Sequence, residues 1–233
     1  KATDVSLLSA DATAEGTELS VLIGTEVVGA KIPLFGLFNV QNVLAVIATL
    51  VAMGRGTSEI EAAIKKISPV PGRMEVIASS GKATIIVDYA HTPDALEKAL
   101  CAVRAHFPGR FICCVFGCGG DRDKSKRYAM GQVASRFADR VFLTSDNPRS
   151  EDPNSIIQEV RAGVSGSDLH SNADRKKAIR RAIGMASENE IVLVAGKGQE
   201  QYQELSFGRV QFSDHKVIDE TTISDAVSDA KGK

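Results

Sequence analysis

The chain has 233 residues, 43% of them hydrophobic and 24% charged, and a formal net charge of −1. This length allows one large domain or two smaller ones, and the composition is ordinary for a soluble globular protein. The near-zero charge gives no support for binding to nucleic acid or to an anionic membrane. The longest apolar run, residues 40–53, is too short to span a bilayer.

No secretory signal is recognisable, and the chain begins at Lys1 rather than methionine, so we expect a piece of a longer protein. The cysteines lie in or beside apolar segments and lack the spacing of zinc ligands; they are Cys101, Cys113, Cys114 and Cys118. We therefore expect buried free thiols in a reducing compartment, and place the protein in the cytoplasm.

The N-terminal third predicts a β-hairpin followed by helices. Residues 19–23 and 27–32 flank Gly24-Thr25-Glu26, which is typical of a hairpin. Apolar residues between 40 and 51 recur at helical spacing and predict an amphipathic helix that ends near Gly54. Too little precedes the helices to cover them, so we expect residues 1–71 to be the incomplete tail of a larger domain.

A second helix is predicted next, with Ser58 and Glu61 as a capping box. Its buried face is expected to carry Ile60, Ala63, Ile64 and Ile67. Pro69-Val70-Pro71-Gly72-Arg73 then breaks the pattern and is the natural hinge between two domains.

Residues 72–233 predict an open α/β domain. Apolar runs at 83–87, 111–116, 141–143 and 191–195 alternate with helical stretches near 93–106, 127–138, 153–164 and 174–188. Thr92 is placed to cap the first of these helices, with Pro93 at its first position. Continuous apolar strands separated by helices indicate a mostly parallel, Rossmann-like sheet with helices on both faces.

Glycines and charged residues follow each predicted strand. The four segments are Asp88-Tyr89-Ala90-His91, Gly117-Cys118-Gly119-Gly120-Asp121-Arg122-Asp123, Asp146-Asn147-Pro148-Arg149 and Gly196-Lys197-Gly198-Gln199-Glu200. Ligands bind outside the carboxyl ends of the strands in open α/β sheets. The sequence therefore predicts one crevice lined by all four segments.

Each segment is weaker evidence when it is taken alone. The 117–120 stretch fits either a phosphate nest or a tight turn, and it lacks the dinucleotide fingerprint. Gly196-Lys197-Gly198 lacks the spacer and the final Ser or Thr of a P-loop, so we reject that assignment. His91 fits a base or a structural hydrogen bond, and Arg73 fits a solvated side chain or a phosphate ligand between two domains.

The 146–149 segment combines an acid, an amide and an arginine after a buried strand. A carboxylate pairs with an ammonium, and a guanidinium holds a carboxylate in two hydrogen bonds, so the segment suits a ligand with both charges, such as an amino acid. Taken alone, the segment fits better a turn in which Asp146 caps backbone amides and Arg149 is solvated.

Asn39 and Asn42 stand at the start of the first predicted helix. Asn39 is a suitable N-cap, whereas Asn42 lies inside the first turn, where asparagine gains little. Two amides at this position fit the edge of a nucleobase, and capping is the simpler explanation for a single residue.

Several spaced motifs together resemble the Mur ligases, ATP-dependent enzymes that build the peptide stem of bacterial peptidoglycan. These motifs are Gly36-Leu37-Phe38-Asn39-Val40-Gln41-Asn42, Pro71-Gly72-Arg73-Met74-Glu75, Val87-Asp88-Tyr89-Ala90-His91-Thr92-Pro93-Asp94 and Asp146-Asn147-Pro148-Arg149. The last resembles the branch that adds meso-diaminopimelate to UDP-N-acetylmuramoyl-L-alanyl-D-glutamate. Gln199 departs from the family, which usually has histidine there.

The resemblance implies that residues 1–71 belong to a central ATP-binding domain and residues 72–233 to the domain that binds the incoming amino acid. The implied ATP-binding residues are Asn39, Asn42, Arg73, Asp88 and His91, with Mg²⁺ as a further cofactor. The implied amino-acid-binding residues are Arg122, Asp146, Asn147, Pro148, Arg149, Gly196 and Glu200.

In the implied reaction, ATP phosphorylates the glutamyl carboxylate and the amine of meso-diaminopimelate attacks the acyl phosphate. No catalytic residue and no metal ligand is assigned within this chain, because the phosphate loop and the carbamylated lysine are expected upstream of Lys1. We expect this chain alone to be inactive, and the enzyme to be a monomer.

Three other functions stay open at this point. A related ligase would use lysine, or glutamate as folylpolyglutamate synthetases do, and the 146–149 segment speaks against it. A non-catalytic Mur-like scaffold would keep the fold, but the retained crevice residues argue against it. A dinucleotide-binding domain is disfavoured by the missing fingerprint.

Overall fold

The computed structural model describes residues 4–77, 83–166 and 168–231, with side chains described to residue 223. The chain divides into two compact units. The first unit contains residues 1–70 and 101–109, and the second contains residues 71–100 and 110–233. The domain boundary expected between residues 71 and 72 stays a prediction.

The first unit contains a three-stranded antiparallel sheet in the order β1-β2-β3. Its strands are β1 (Val5–Thr13), β2 (Gly16–Ile23) and β3 (Glu26–Ile32). The pairing of Ile23 with Glu26 closes the predicted hairpin, which is confirmed. The sequence did not show β1, whose nine residues are all exposed or half-buried and therefore carry no apolar stripe.

Two helices pack with this sheet: α1 (Leu37–Ala52) and α2 (Thr57–Ile64). Val43, Ile47 and Ile60 form one buried cluster with side chains of β2 and β3. The expectation that too little precedes the helices to cover them was therefore wrong. The larger domain to which these residues were assigned stays a prediction.

The helix starts differ from the sequence-based expectations. Gly56 precedes α2 and no side chain caps it, so the predicted capping box of Ser58 and Glu61 does not form. Asn39 is not an N-cap either, because Gly36 occupies that position of α1. Ala63 is exposed, whereas Ile60 and Ile64 are buried as expected.

The second unit is built on a six-stranded sheet in the order β4-β5-β9-β6-β7-β8. Its strands are β4 (Glu75–Ile77), β5 (Thr84–Asp88), β6 (Phe111–Phe116), β7 (Arg140–Thr144), β8 (Asp168–Asn172) and β9 (Glu190–Ala195). The edge strand β4 is antiparallel to β5, and all other neighbours are parallel. The predicted mostly parallel α/β sheet is confirmed.

Five helices and a small hairpin complete this unit. The helices are α3 (Pro93–His106), α4 (Ser125–Phe137), α5 (Pro153–Arg161), α6 (Arg175–Met185) and α7 (Asp214–Lys231), and the hairpin is β10 (Tyr202–Leu205) with β11 (Gly208–Gln211). Of α3, only residues 93–100 belong to the second unit, and the rest of the helix is assigned to the first. Thr92 Oγ1 accepts a 3.3 Å hydrogen bond from the amide of Ala95, which confirms the predicted cap of α3. The hairpin and α7 were missed in the sequence.

Both faces of the sheet are covered. Apolar residues of α6 and α7, such as Ile179 and Ile218, share a buried cluster with Val87 and Val115. Ile86 lies between two members of that cluster, points to the opposite face and is also fully buried. Helices on both faces leave only the edges of the sheet open to a ligand.

The cysteines agree with expectation at three positions. Cys113, Cys114 and Cys118 are buried, and burial raises the pKa of Cys113 and of Cys118 to about 12, so both stay as thiols. Cys101 is exposed, which corrects the expectation that all four are buried. Within the described residues, no helix has the length and apolar character needed to span a membrane.

Alanine substitutions at two helical glycines provide a test of the packing of α4 on α5, with the second glycine as a control. A Cβ at Gly131 in α4 would lie 2.1 Å from the carbonyl oxygen of Val160, whereas a Cβ at Gly184 in α6 would meet no atom within 4 Å. We expect Gly131→Ala to destabilise the protein by about 1–3 kcal/mol because the helices must move apart. Gly184→Ala should stabilise it by up to about 0.5–1 kcal/mol through helix propensity.

Urea unfolding of the two variants against the wild type measures both effects. The substitutions are chemically identical, so the opposite signs isolate the close approach of the helices. A Gly131→Ala variant as stable as Gly184→Ala would contradict the described packing.

Candidate functional site

The four loops that follow β5, β6, β7 and β9 meet at the carboxyl edge of the six-stranded sheet. They enclose a crevice of about 400 Å³. Its lining residues are Tyr89, His91, Thr92, Gly119, Arg122, Asp123, Lys126, Asp146, Asn147, Arg149, Gly196 and Glu200. The prediction that all four segments share one crevice is confirmed.

The glycines after β6 allow two loop backbones to touch. A Cβ at Gly117 would lie 2.2 Å from the carbonyl oxygen of Thr144, and one at Gly120 would lie 1.9 Å from that of Pro148. The amide of Gly120 also donates to the carbonyl of Asn147 over 2.9 Å. These contacts support the tight-turn interpretation of the 117–120 stretch.

Asp146 is the acid at the floor of the crevice. It is 7% exposed, and its carboxylate makes no hydrogen bond to any residue in the described parts of the chain. Burial raises the pKa of Asp146, while the positive charges of Arg175 and Lys197 oppose that rise. The result is a buried carboxylate with unused acceptor capacity that faces the crevice.

Gly196 lies directly against this carboxylate. Its φ is +111°, and a Cβ there would lie 2.7 Å from Oδ2 of Asp146. Any side chain at position 196 would therefore fill the space next to the acid. This explains why the strand β9 is followed by glycine.

Lys197 is fully buried and joins the loop after β9 to the loop after β7. Its Nζ donates to Oε2 of Glu200 over 2.7 Å and to Oδ1 of Asn147 over 3.0 Å. Nδ2 of Asn147 donates to the same carboxylate of Glu200 over 3.0 Å, and its Oδ1 accepts from the amide of Glu204 over 2.9 Å. Asn147 thus uses its side chain to hold Glu200.

Lys197 was noticed in the sequence only as part of an incomplete P-loop. Its burial agrees with the rejection of a P-loop, because the amine is enclosed by side chains of its own unit. Burial raises the pKa of Glu200, but the hydrogen bonds from Lys197 and Asn147 outweigh burial and hold that pKa below its usual value. Glu200 is therefore an ionised acid at neutral pH.

Two arginines that line the crevice lie next to Gly119. From a Cβ at Gly119, Nη1 of Arg149 would be 3.1 Å away and Cγ of Arg122 3.7 Å away. Nε of Arg149 pairs with Glu204 at 3.0 Å and Nη1 donates to the carbonyl of Gly120 over 2.8 Å. Arg122 is exposed, and none of the described residues forms a hydrogen bond or ion pair with its side chain.

Pro148 is buried but does not line the crevice. Its carbonyl accepts from the amide of Glu151 and lies against Gly120. The contribution of Pro148 to the crevice is therefore through the backbone of its loop.

The residues assigned to ATP in the second unit lie in different environments. Arg73 is exposed and stacks on Tyr89, with its guanidinium carbon 4.4 Å from the ring centre. His91 lines the crevice, and its Nδ1 lies 2.9 Å from the carbonyl of Tyr89. Lys126, which the sequence did not single out, donates to the carbonyl of His91 over 2.8 Å.

Asp88 does not line the crevice. Its two carboxylate oxygens accept from the amides of Met74 and Ala90, each over 2.8 Å. Burial raises the pKa of Asp88, and these two amides oppose that rise. The carboxylate therefore fixes the chain on either side of β5, and its assignment to ATP stays a prediction.

Asn39 and Asn42 belong to the first unit, in the first turns of α1. Nδ2 of Asn39 donates back to the carbonyl of Phe35 over 2.8 Å. Asn42 is exposed, and its Nδ2 makes a long 3.4 Å contact with Oδ1 of Asn39. The amide of Asn42 keeps its carbonyl oxygen available to a ligand.

The contacts of Lys197 generate a prediction about stability and pH. We expect Lys197→Met to cost about 3 kcal/mol near pH 7, because Glu200 and Asn147 lose their shared buried donor. The pKa of Glu200 is depressed in the folded chain, so its stabilising effect is present above the unfolded pKa and is lost as pH falls through the folded pKa.

The cost of Lys197→Met should accordingly shrink as pH is lowered from about 7 to about 3. Urea unfolding at several pH values measures this difference. Lys124→Met is the control, because Lys124 pairs with Glu151 at 3.1 Å from an exposed position and should cost less than about 1 kcal/mol. A pH-independent cost at Lys197 would show that the pair with Glu200 is not the cause.

Comparison with known proteins places this crevice in a family. Residues 72–198 match the family described as Mur ligase, glutamate ligase domain. The chain is 45% identical over 218 residues to a UDP-N-acetylmuramoyl-L-alanyl-D-glutamate--2,6-diaminopimelate ligase of Chromobacterium violaceum, which covers 93% of this chain and 44% of the relative. A protein of the same name from Acidovorax sp. is 46% identical over 205 residues, covering 87% and 41%.

A solved structure of a UDP-N-acetylmuramoyl-L-alanyl-D-glutamate--2,6-diaminopimelate ligase superimposes with a TM-score of 0.71 at 35% identity, over 97% of this chain and 46% of that protein. The chain thus spans less than half the length of the relatives that it matches. The family match covers more than half of the chain and contains most of the crevice. The chain belongs to the Mur ligase family.

Proposed function

We propose that this chain supplies the amino-acid site of an ATP-dependent amide ligase. The incoming amino acid is meso-diaminopimelate, and the acceptor is UDP-N-acetylmuramoyl-L-alanyl-D-glutamate, as the names of the similar ligases suggest. The observation that carries the proposal is the charge pattern of the crevice. Buried Asp146 and half-buried Glu200 line the crevice together with two arginines that flank Gly119.

The acids suit an ammonium group. Asp146 has unused acceptor capacity, and Glu200 is ionised beside it. An ammonium donates three hydrogen bonds, and charge-assisted bonds to carboxylates are among the strongest that proteins make. The amino group at the distal end of the ligand therefore binds to Asp146 and Glu200.

The arginines suit the carboxylate that accompanies this amino group. Arg122 has no partner among the described residues, and Nη2 of Arg149 makes no hydrogen bond within the described chain. Both side chains flank Gly119, so one carboxylate can reach both. Lysine lacks this distal carboxylate and would leave the guanidinium groups without it.

The residues of this chain bind and orient the amino acid. Fixing the distal ammonium and carboxylate sets the position of the attacking amine at the far end, which lowers the entropic part of the barrier. The loops that hold these groups are themselves fixed by buried hydrogen bonds, so little reorganisation accompanies binding. The reaction step itself is assigned to no residue here.

The nucleotide side of the proposal rests on Asn42, Arg73 and His91, which are all exposed and carry groups that a nucleotide can use. ATP supplies the phosphoryl group that activates the acceptor carboxylate. Within the described chain, no three His, Cys, Asp or Glu side chains form a group that could hold a metal ion. The Mg²⁺ that accompanies ATP is therefore assigned no ligand here, and no step is derived through it.

We further infer that the enzyme works in the cytoplasm as a monomer. Three buried thiols without a disulfide partner suit a reducing compartment. The activated nucleotide substrate and ATP are also expected in that compartment.

Amino-acid selectivity in the complete enzyme tests the proposal. Radiolabelled meso-diaminopimelate should be ligated in preference to lysine by a factor of tens, because an unmade buried charged hydrogen bond costs about 2 kcal/mol or more. Glutamate should be rejected as well, since the acids of the crevice would face a carboxylate. Equal use of lysine or glutamate would contradict meso-diaminopimelate as the substrate.

Arginine variants test the assigned residues. Arg122→Ala and Arg149→Lys should each raise the KM for meso-diaminopimelate at least about tenfold, because a charged hydrogen bond to the distal carboxylate is lost. The KM for ATP should barely change. Arg161→Ala, at an exposed position at the end of α5, is the matched control. Unchanged kinetics for meso-diaminopimelate in both crevice variants would refute the assignment.

A further inference from the structure

Arg175 is a buried side chain that the proposed reaction does not use directly. It is the first residue of α6 and is 2% exposed. It forms a two-pronged ion pair with Asp214, the first residue of α7, at 2.8 Å and 2.7 Å. The side chain of Asp214 is fully buried, so neither charge of this pair is solvated.

The guanidinium of Arg175 also reaches the ends of two strands. Nη1 donates to the carbonyl of Ser145 over 3.3 Å, and Nη2 donates to the carbonyl of Ala195 over 2.9 Å. Each of these carbonyls belongs to the residue that directly precedes a crevice residue, Asp146 in one loop and Gly196 in the other. One side chain thus ties together the two loops that form the floor of the crevice.

A second set of contacts holds the same loop from the other side. Gln203 in β10 donates to Oγ of Ser145 over 2.8 Å and to the carbonyl of Asp146 over 2.6 Å. Oγ of Ser145 donates in turn to the carbonyl of Ala173, just before α6. These contacts are neutral and fix the backbone, whereas Arg175 adds a positive charge to its contact with the loop.

We propose that Arg175, oriented by Asp214, is a positioning residue for amino-acid binding, which fixes Asp146 and Gly196 at their separation and keeps Asp146 ready to accept an ammonium. The inference rests on the proposed function and deepens it. A buried ion pair that served only stability would be replaceable by apolar residues of similar volume, often at no cost. A positioning pair would not be replaceable without loss of ligand binding.

Charge supports the geometric argument. The groups that face Asp146 are Arg175 from α6, Lys197 and Glu200 from the loop after β9, Asp214 from α7, and Tyr89 and Cys118 from the loops after β5 and β6. Arg175 is the largest of the effects that lower the pKa of Asp146 against burial, and Asp214 opposes it more weakly. Removing the pair together should therefore raise that pKa.

The test uses the complete enzyme with Arg175→Met and Asp214→Leu combined, so that neither partner of the ion pair is left behind as a lone buried charge. The variant should fold, as judged by circular dichroism and its Tm. Its KM for meso-diaminopimelate should rise at least about tenfold near pH 7 while the KM for ATP stays unchanged. The acid limb of the kcat/KM profile for meso-diaminopimelate should move to higher pH, because Asp146 must be ionised to accept the ammonium.

Arg175→Lys separates geometry from charge. It keeps the positive charge but loses the planar fork that reaches two carbonyls and Asp214. The KM for meso-diaminopimelate should rise while the acid limb stays where it is in the wild type. Arg180→Met is the control on the same helix, since Arg180 is exposed and pairs with Glu220 at 3.1 Å. Its kinetics should match the wild type.

Every outcome bears on the inference. A folded double variant with wild-type KM and pH profile overturns it, and so does a failure of both Arg175 variants to fold, which would assign the pair to stability alone. A wild-type enzyme that ligates lysine or glutamate refutes meso-diaminopimelate as the substrate, yet the variants would still weaken binding of whichever amino acid is used. If the wild type ligates no amino acid, the pKa of Asp146 is measured by carboxyl NMR titration in the wild type and in the double variant. A higher pKa in the double variant supports the inference, and an unchanged pKa overturns it.

Discussion

The compensation of buried charge is the constraint on which the carboxyl edge of the sheet depends. Arg175 and Lys197 are both fully enclosed, and each lies among carboxylates that burial alone would neutralise. The two cations oppose the rise that burial causes in the pKa of Asp146, and Lys197 helps to hold the pKa of Glu200 below its usual value. Removing either cation would raise the pKa of a neighbouring acid, which would then bind a proton or require hydration by water.

The loop after β7 is held in place by the β10–β11 hairpin, which supplies none of the residues that line the crevice. The β10–β11 hairpin lies outside the main sheet, yet Gln203 and Glu204 hold the backbone and the arginine of the loop after β7. Glu204 also pairs with Arg209 across the hairpin at 2.8 Å. The position of Arg149 is thus set by a strand that follows it by more than fifty residues.

The sequence was sufficient for the parts of the fold that repeat a simple pattern. Four buried parallel strands and the helices between them follow from continuous apolar runs, and their loops had to converge because parallel strands end at one edge. The edge strands β4 and β8 were missed because they are short and only partly buried. The first strand β1 was missed because it lacks an apolar stripe.

The site was predictable only where side chains face the crevice. Asp146, Arg149 and Glu200 stood in segments that follow strands, and this placement marked them. Arg175 does not follow a predicted strand. It begins the basic stretch Arg175-Lys176-Lys177, which is typical of a solvated helix start. Its burial depends on Asp214, thirty-nine residues away, and no local pattern in the sequence connects the two.

The contact of Gly117 and Gly120 with the backbone of the neighbouring loop limits how such a crevice can evolve. Because the space between the two loop backbones is too small even for a Cβ, neither loop can be lengthened or shifted without separating the strands that carry it. Side chains that point into the cavity, such as Arg122, are under no comparable restriction. A change of ligand in this lineage would thus proceed by exchange of individual side chains on an unchanged backbone, and the same route is open to a protein engineer.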